Sequence, residues 1–464
     1  MGRRAQPHRD GRVSGPRVTV VGGGLAGISA ALQCADAGAR VTLVEVRPRL
    51  GGAVYSFERD GLLVDNGQHV FMRCCSAYRA LLERIGATGS TTLQPRLEVP
   101  VIEPGGRVTT IRRGRLPAPL HLAATLARYR PLLPLKRAGA ARAALALGRL
   151  DAADPALDLV TFGDWLARHG QGPTEAAALW DLIALAILNV RAAEASLGVA
   201  AFAFQTALLG DNTAGDIGFH ERALSEVVGE PAERALRAAG VALRLSWRAE
   251  AVRAVAGGGG FVVAGERGDP LAADAVVMAL PPTRAAAVLP AGAIANPERL
   301  MALGSSPIVN VHVIYERPVT DLAFVGGLGT PVQYVFDRTR AAGVEAGQYL
   351  AVSVSGADAE MAMTPEALRV RYESALAELF PRALATRVER FLVTREHAAT
   401  FRATPGSAAL RPGPRTALAG LALAGAWTAT GWPATMEGAV RSGQAAAREA
   451  LSAVGSAEAV GVAA

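Results

Sequence analysis

Gly22, Gly24 and Gly27 stand in the spacing G-x-G-x-x-G, and Glu45 follows 21 positions after Gly24. Between a strand and a helix, that constellation binds a dinucleotide. Each member has its own task. Gly22 permits a tight turn, Gly24 lets backbone approach a pyrophosphate, and Gly27 lets the helix pack close on the sheet. Unpaired N–H groups at the helix start offer positive potential to the anion, while Glu45 accepts hydrogen bonds from an adenosine ribose. The spacing by itself does not separate FAD from NAD.

The elements that must position these residues are visible around them. Residues 17–21 read RVTVV, an alanine-rich helical stretch runs to about Ala37, and RVTLVE at 40–45 makes a second strand, so the fold begins β-α-β. Residues 96–110 alternate as strands do. Residues 117–210, rich in Ala and Leu and punctuated by Pro131, Pro134, Pro155 and Pro173, predict a separate helical lobe. A helix is expected over 221–239, then strands at 241–247, 250–255, 261–265 and 275–280, with Gly257 to Gly260 in a hairpin turn between the middle pair. Strands at 307–315 and 347–355, a helix at 365–380, extended chain at 389–402, a buried strand at 417–424 and a helix from Thr435 to Leu451 complete the pattern.

Composition narrows the class. The 464 residues exceed what one core organises, and with 50% apolar and 19% charged side chains the chain folds rather than staying disordered. Lys136 is the only lysine, so Schiff-base chemistry is almost ruled out. Cys34, Cys74 and Cys75 are too few and too badly spaced for a disulfide framework or zinc site, which suggests a reducing, cytoplasmic setting. The polar, basic stretch Met1 to Pro16 holds no signal-peptide core. No histidine pair has metal-ligand spacing, and no metal is expected.

What separates FAD from NAD is the continuation. Arg49, Gly51 and Gly52 follow Glu45, and Leu423-Ala424-Gly425-Ala426-Trp427 and Thr435-Met436-Glu437-Gly438 stand near the far end. These strings resemble the flavoprotein superfamily of amine oxidases and carotenoid desaturases. More specific are DNGQHVFMRCCSAYRALLERIG at 65–86, REHAATFRATPG at 395–406 and TGWPATMEGAVRSG at 430–443. Together they resemble the squalene-associated FAD-dependent desaturase family, the hydroxysqualene dehydroxylases, over about 16–450. The resemblance implies an α/β fold: a Rossmann-like FAD-binding domain of amine oxidase/phytoene desaturase type at 16–100, 216–285 and 405–451. Interleaved with it is an α+β substrate domain at 101–215 and 286–404, with flexible tails at 1–15 and 452–464. It implies FAD contacts at Gly22, Gly24, Gly27, Glu45, Arg49, Gly51, Gly52, Gly67, Gln68, Gly425, Trp427, Thr435 and Met436. It also implies reductive removal of the hydroxyl of hydroxysqualene, giving squalene and water.

Two departures from the superfamily stand out. Ala426 replaces the aspartate that bonds the ribityl chain. Thr435 takes the place of the amine oxidases' aromatic cage residue, and no lysine lies in a flavin-contacting segment, which disfavours amine oxidation. A carotenoid-type desaturase, taking hydride from a polyisoprene, is the enzymatic rival, and a non-catalytic isoprenoid carrier is the rival of another class. With no second dinucleotide fingerprint, the electron donor is external, either another protein or NAD(P)H visiting the same cleft.

Loss of a hydroxyl needs a proton donor. His69, at the end of the DNGQH string, is the candidate general acid, because histidine titrates in the useful range. A hydrogen-bonded histidine with no proton-transfer role is the competing reading. Trp165, Trp180, Phe202 and Phe204, with the leucines and isoleucines of 182–188, are candidates to line a tunnel for a thirty-carbon isoprenoid. From Pro104 to Leu150 there is no acidic residue, while ten basic ones interleave with leucines, alanines and prolines. That surface suits peripheral contact with anionic lipid at the inner face of the cell membrane. With Tyr129 its one aromatic, it lacks the stacking platforms of nucleic-acid binders.

Overall fold

The computed structural model describes residues 15–461. The strand Arg17–Val21 lies in the middle of a five-stranded parallel sheet, ordered Ala242–Arg244, Arg40–Val44, Arg17–Val21, Ala275–Met278, Leu421–Leu423. Covered on both sides, it buries Val18, Thr19, Val20 and Val21 without alternation, as parallel strands do. Each such aliphatic side chain contributes about 1.5–3 kcal/mol on full burial. The five strands come from three stretches of chain, so residues near both ends share one sheet. The helix Leu25–Asp36 packs on this sheet, and the final helix crosses it so closely that a Cβ at Gly443 would stand 2.1 Å from the Ala26 carbonyl.

A second, seven-stranded sheet runs Val388–Thr400, Ser306–Tyr315, Gln348–Ser355, Tyr334–Asp337, Phe324–Gly327, Glu98–Glu103, Arg107–Arg112. The strand Ser306–Tyr315, second from one edge, shows period-two division. Val309, Val311 and Val313 pack with Leu368, Tyr372 and Leu376 of the helix Pro365–Leu379, whereas Ile314 packs with Leu62 and Val64 of the hairpin Ser56–Arg59 and Leu62–Asp65. Asn310 and His312 share that second side. The sheet thereby turns a mostly polar stripe toward the nucleotide-binding half.

Several expectations need correction. The boundary at 100/101 cuts the strand Glu98–Glu103, which belongs wholly to the seven-stranded sheet. Strands Phe324–Gly327 and Tyr334–Asp337 were not anticipated, being only four residues each, the first ending in two glycines. The buried strand expected at 417–424 shrinks to Leu421–Leu423, because Thr416 and Gly420 (φ 86°) form a turn. The final helix is Met436–Gly461 rather than ending at Leu451, since an alanine-rich segment read as a small-residue tail is also the best helix former. Most of the expected N-terminal tail, 1–14, and the last residues, 462–464, lie outside the described residues.

The helical lobe holds Ala123–Arg128, Pro134–Leu147, Phe162–Arg168, Asp181–Leu188 and Leu197–Phe204. Phe162, Trp165, Trp180 and Phe204 are buried there against one another, Phe162 standing 5.4–6.2 Å from the other three rings. Three of the four expected tunnel residues are thus lobe core. Phe202, half-buried, instead meets Trp432 edge-on at 5.4 Å.

Candidate functional site

The chain leaves its first strand at Gly22, whose φ of 112° excludes most side chains and whose N–H donates to the Val44 carbonyl at 2.8 Å. A Cβ at Gly27 would lie 1.8 Å from the Gly22 carbonyl oxygen, so the helix seats against the turn only with glycine there. Gly24 precedes the helix with no side-chain cap, leaving the first-turn N–H groups to a ligand. Gly51 bridges Gly24 in parallel fashion and donates to the Gly23 carbonyl at 2.9 Å. An added Cβ on Gly24 would meet only the Gly52 Cα, at 3.7 Å, so a lane of bare backbone runs between the two glycine pairs. Glu45, 8% exposed, accepts from Gly23 N–H at 2.7 Å and Arg47 N–H at 2.8 Å. Each oxygen keeps a lone pair for a ribose hydroxyl. Arg49 lies 3.6 Å above the Tyr55 ring and donates to the Gly52 carbonyl at 3.2 Å. Its pKa lies below the usual arginine value because of burial.

At the other end of the chain, Gly425 N–H donates to Ser442 Oγ at 2.8 Å and the buried Trp427 indole to the Leu280 carbonyl at 3.0 Å. Thr435 Oγ1 accepts from Gly438 N–H at 3.1 Å, capping the final helix, and Met436 packs on the core of the nucleotide-binding half. Two residues there escaped the sequence reading. Glu437, 0% exposed, accepts from the N–H groups of Ala77 and Tyr78 at 3.0 and 2.7 Å and from Arg441 Nε at 2.6 Å. It caps the helix Ser76–Arg84 from another helix, and its Glu-x-x-x-Arg spacing was the available signal. Cys75 precedes that helix and Cys74 lies in the turn before it. Arg411 donates to the carbonyls of Ala426, Trp427, Thr428 and Trp432. Burial pushes its pKa down to about 10. An arginine between Leu410 and Pro412 gave no sequence signal for this role.

The segment Asp65–His69 joins these two parts. Asp65 accepts from Ser56 Oγ at 2.6 Å and Leu224 N–H at 3.0 Å and pairs with Arg338 at 2.9 Å. Asn66 is tied to 53–55, just past Gly52, through bonds to the Ala53 carbonyl and the Tyr55 backbone. Two buried histidines hold the loop's ends. His220 Nδ1–H donates to the His69 carbonyl at 2.9 Å, leaving Nε2 to accept from the Tyr78 hydroxyl at 2.8 Å. Thr394 donates to the Asn66 carbonyl at 3.0 Å and so accepts from His312 Nε2–H at 3.2 Å, leaving Nδ1 for the Tyr349 hydroxyl at 2.7 Å. Burial pushes both imidazoles down to about 3. Glu437, Tyr78 and His220 thereby connect the final helix to the His69 carbonyl.

Gly67 is buried, Gln68 and His69 half-buried. Burial lowers His69 to about 4, Asp65 opposing and Arg338 reinforcing the shift. This corrects the reason given for its candidacy: the imidazole is neutral at pH 7 and stores no proton. The buried Nε2 of Gln68 and Oδ1 of Asn310 have no hydrogen-bond partner among the described residues. Among the described residues no three His, Cys, Asp or Glu side chains gather as metal ligands would.

The glycine lane, the uncapped helix start and the free lone pairs of Glu45 fit an adenine dinucleotide extended toward the Asp65–His69 loop. The family model for flavin containing amine oxidoreductases matches residues 25–451. A hydroxysqualene dehydroxylase of Sinorhizobium fredii is 30% identical, covering 94% of this chain and 98% of its own. A zeta-carotene desaturase of Zea mays is 32% identical but covers only 37% of this chain and 32% of its own. Among solved structures, the cyclohexylamine oxidase of Brevibacterium oxydans superposes with a TM-score of 0.71 at 19% identity, over 95% of this chain and all of its own. The chain therefore belongs to the flavin containing amine oxidoreductase family and is an FAD-dependent oxidoreductase of mixed α/β, Rossmann-like fold.

Proposed function

We propose that the protein reductively dehydroxylates a thirty-carbon isoprenoid alcohol, hydroxysqualene, to squalene. One observation carries this reading above its rivals: the likeness to the dehydroxylase runs end to end, whereas that to the desaturase covers about a third of the chain. The net reaction breaks an allylic C–O bond, forms a C–H bond at the same carbon and releases water, consuming two electrons and two protons. Gly22, Gly24, Gly27, Glu45, Arg49, Gly51 and Gly52 would hold FAD, with Gly425, Trp427, Thr435 and Met436 at its far end. Bound there in reduced form, FAD supplies hydride. The neutral His69 donates a ring N–H hydrogen bond to the departing oxygen, and solvent supplies the proton that completes water.

Hydroxysqualene, squalene and phytoene are the discriminating substrates. Squalene should form from hydroxysqualene alone, and only with reduced flavin. Desaturation of phytoene by oxidised flavin would replace this reading with the rival, and a colourless protein that cannot take up FAD would favour the carrier. Because His69 sits near 4, kcat/KM should stay flat from about pH 5.5 to 8. A tenfold fall per pH unit above 6.5 would restore an ordinary imidazolium acid.

We further propose that the helical lobe rests on anionic lipid, from which the substrate enters. No described helix is long and apolar enough to cross a membrane. Leu116, Leu120, Leu133 and Leu135 are 56–80% exposed, and the exposed Arg115, Arg128, Arg130 and Arg142 of the same segment make no ion pair among the described residues. Arg112 and Arg113, by contrast, pair with Glu98 and the buried Asp216, and are spent within the fold. Sedimentation with phosphatidylglycerol vesicles in low salt should be lost when Arg115, Arg128 and Arg130 become serine. Failure of the wild-type protein to pellet would end the proposal.

A further inference from the structure

Asn310 lies in the middle of the strand Ser306–Tyr315, 0% exposed, on the side turned toward the Asp65–His69 loop. Its Nδ2 donates to the Asn66 carbonyl at 3.1 Å, and because a carbonyl only accepts, this bond fixes which way the amide points. Oδ1 is consequently aimed away from that carbonyl, and it has no partner. A buried carboxamide oxygen left unpaired is unfavourable enough to call for a ligand.

The space beside it is defined by Gly67. A Cβ built on that residue would stand 3.4 Å from Asn310 Nδ2, 3.9 Å from Asn310 Oδ1 and 3.7 Å from His69 Nε2. The carboxamide and the imidazole therefore converge on one small gap kept open by a glycine. Gln68, between Gly67 and His69 in the chain, also carries a buried Nε2 without a hydrogen-bond partner among the described residues. An unpaired acceptor on the sheet and an unpaired donor on the loop, both neutral, suit a single ligand group able to donate and accept. An alcohol has that chemistry; a hydrocarbon satisfies neither partner, and an ammonium ion offers no acceptor.

We propose that Asn310 Oδ1 and Gln68 Nε2 form the subsite for the substrate's hydroxyl, the first accepting its O–H and the second donating to its oxygen. This rests on the dehydroxylation reading and deepens it. The pair places the C–O bond beside His69 Nε2 and distinguishes the alcohol from the hydrocarbon product, which leaves both amides unpaired again.

The test uses FAD-loaded protein titrated separately with hydroxysqualene and squalene, binding being followed by perturbation of the flavin absorbance. The wild type should prefer the alcohol by about tenfold or more. Asn310→Ala and Gln68→Leu should each bring that preference close to unity, with squalene affinity and FAD Kd unchanged. A wild-type preference retained in both variants overturns the assignment. So does an FAD Kd that weakens in step with alcohol affinity, since the amides then serve the flavin. Asn310→Ala also frees the Asn66 carbonyl; if it does not fold, Gln68→Leu, with no bond to lose at that nitrogen, decides alone. Failure of the underlying reading looks different: the wild type itself would show no preference and form no squalene under reduction, which overturns both.

Discussion

The two sides of the site are held by different means. Around Gly22–Gly27 and Gly51–Gly52 the chain grips with its backbone. A turn at positive φ, an uncapped helix start and a lane between two glycine pairs all lie within about thirty residues of sequence. Around Asp65–His69 it grips with side chains that come from far away. His220 is 151 positions from its partner carbonyl, Asn310 is 244 and Thr394 is 328. The backbone side tolerates almost no added atoms, whereas the side-chain side tolerates almost no change in hydrogen-bonding character. Steric substitutions should therefore break the first and protonation or polarity changes the second.

The largest expected effect is steric. With its Cβ 1.8 Å from the Gly22 carbonyl oxygen, Gly27→Ala must push the first helix off the turn. Purified variant should carry no flavin and refuse reconstitution, read as the ratio of absorbance at 450 to that at 280 nm. Normal flavin content would show that the lane is looser than its geometry states.

Protonation should find the other side. His220 and His312 sit near 3 in the fold and near 6.5 when unfolded. Their depressed values mean that the unfolded chain binds more protons below 6.5, so stability is complete above that pH and falls as pH drops toward 3. At about 1.4 kcal/mol per pH unit for each imidazole, the pair costs about 4 kcal/mol at pH 5. Thermal melts should be level from pH 7 to 8 and move steeply down by pH 5. Melts that stay level to pH 5 would mean that these imidazoles are not the buttresses of the loop.

The same contrast explains what was legible in the sequence. A motif whose parts are close together announces itself by spacing, and Gly22, Gly24, Gly27, Glu45 and the β-α-β run around them are adjacent on the page and in space. In the sequence Asn310 is a polar residue in a largely apolar strand, with no spacing that marks it. What gives it meaning, the carbonyl of Asn66 on one side and the gap over Gly67 on the other, comes from a hairpin more than 240 positions earlier. His220 was likewise set aside because it lacks metal-ligand spacing, though its work is to fix a carbonyl. The histidine that was singled out, His69, stood in the right loop. Its burial, and hence its loss of charge, was beyond the reach of spacing.

Glu437 ties the two sides together, and removing it is the next smaller perturbation. Glu437→Ala leaves two buried N–H groups of the helix Ser76–Arg84 uncapped and Arg441 without its partner. Two buried N–H groups left without an acceptor cost about 3 kcal/mol together. Denaturant unfolding followed by tryptophan fluorescence should show that loss, with flavin released early in the transition because the tie through Tyr78 and His220 to His69 is cut. If flavin loss and unfolding of the polypeptide remain coincident at the wild-type midpoint, Glu437 does not couple the two.

The smallest effect should come from restoring a side chain to the side that works by backbone. The string Leu423 to Trp427 resembles that of the flavoprotein superfamily, which implies a ribityl-bonding aspartate at 426, where this chain has Ala426. The loop is already rigid without it: Arg411 gathers four of its carbonyls, Gly425 N–H is held by Ser442, and Trp427 by the Leu280 carbonyl. With its donors engaged by those carbonyls, Arg411 has little left with which to draw a new carboxylate away from the cofactor. One added hydrogen bond is worth about 1 kcal/mol net, so Ala426→Asp should tighten FAD binding about fivefold in a titration of apoprotein, with melts in the absence of FAD unchanged. A Kd that does not move would mean that the backbone fixes the ribityl chain where no side chain at 426 can reach it, extending the rule of the glycine lane to the far end of the cofactor.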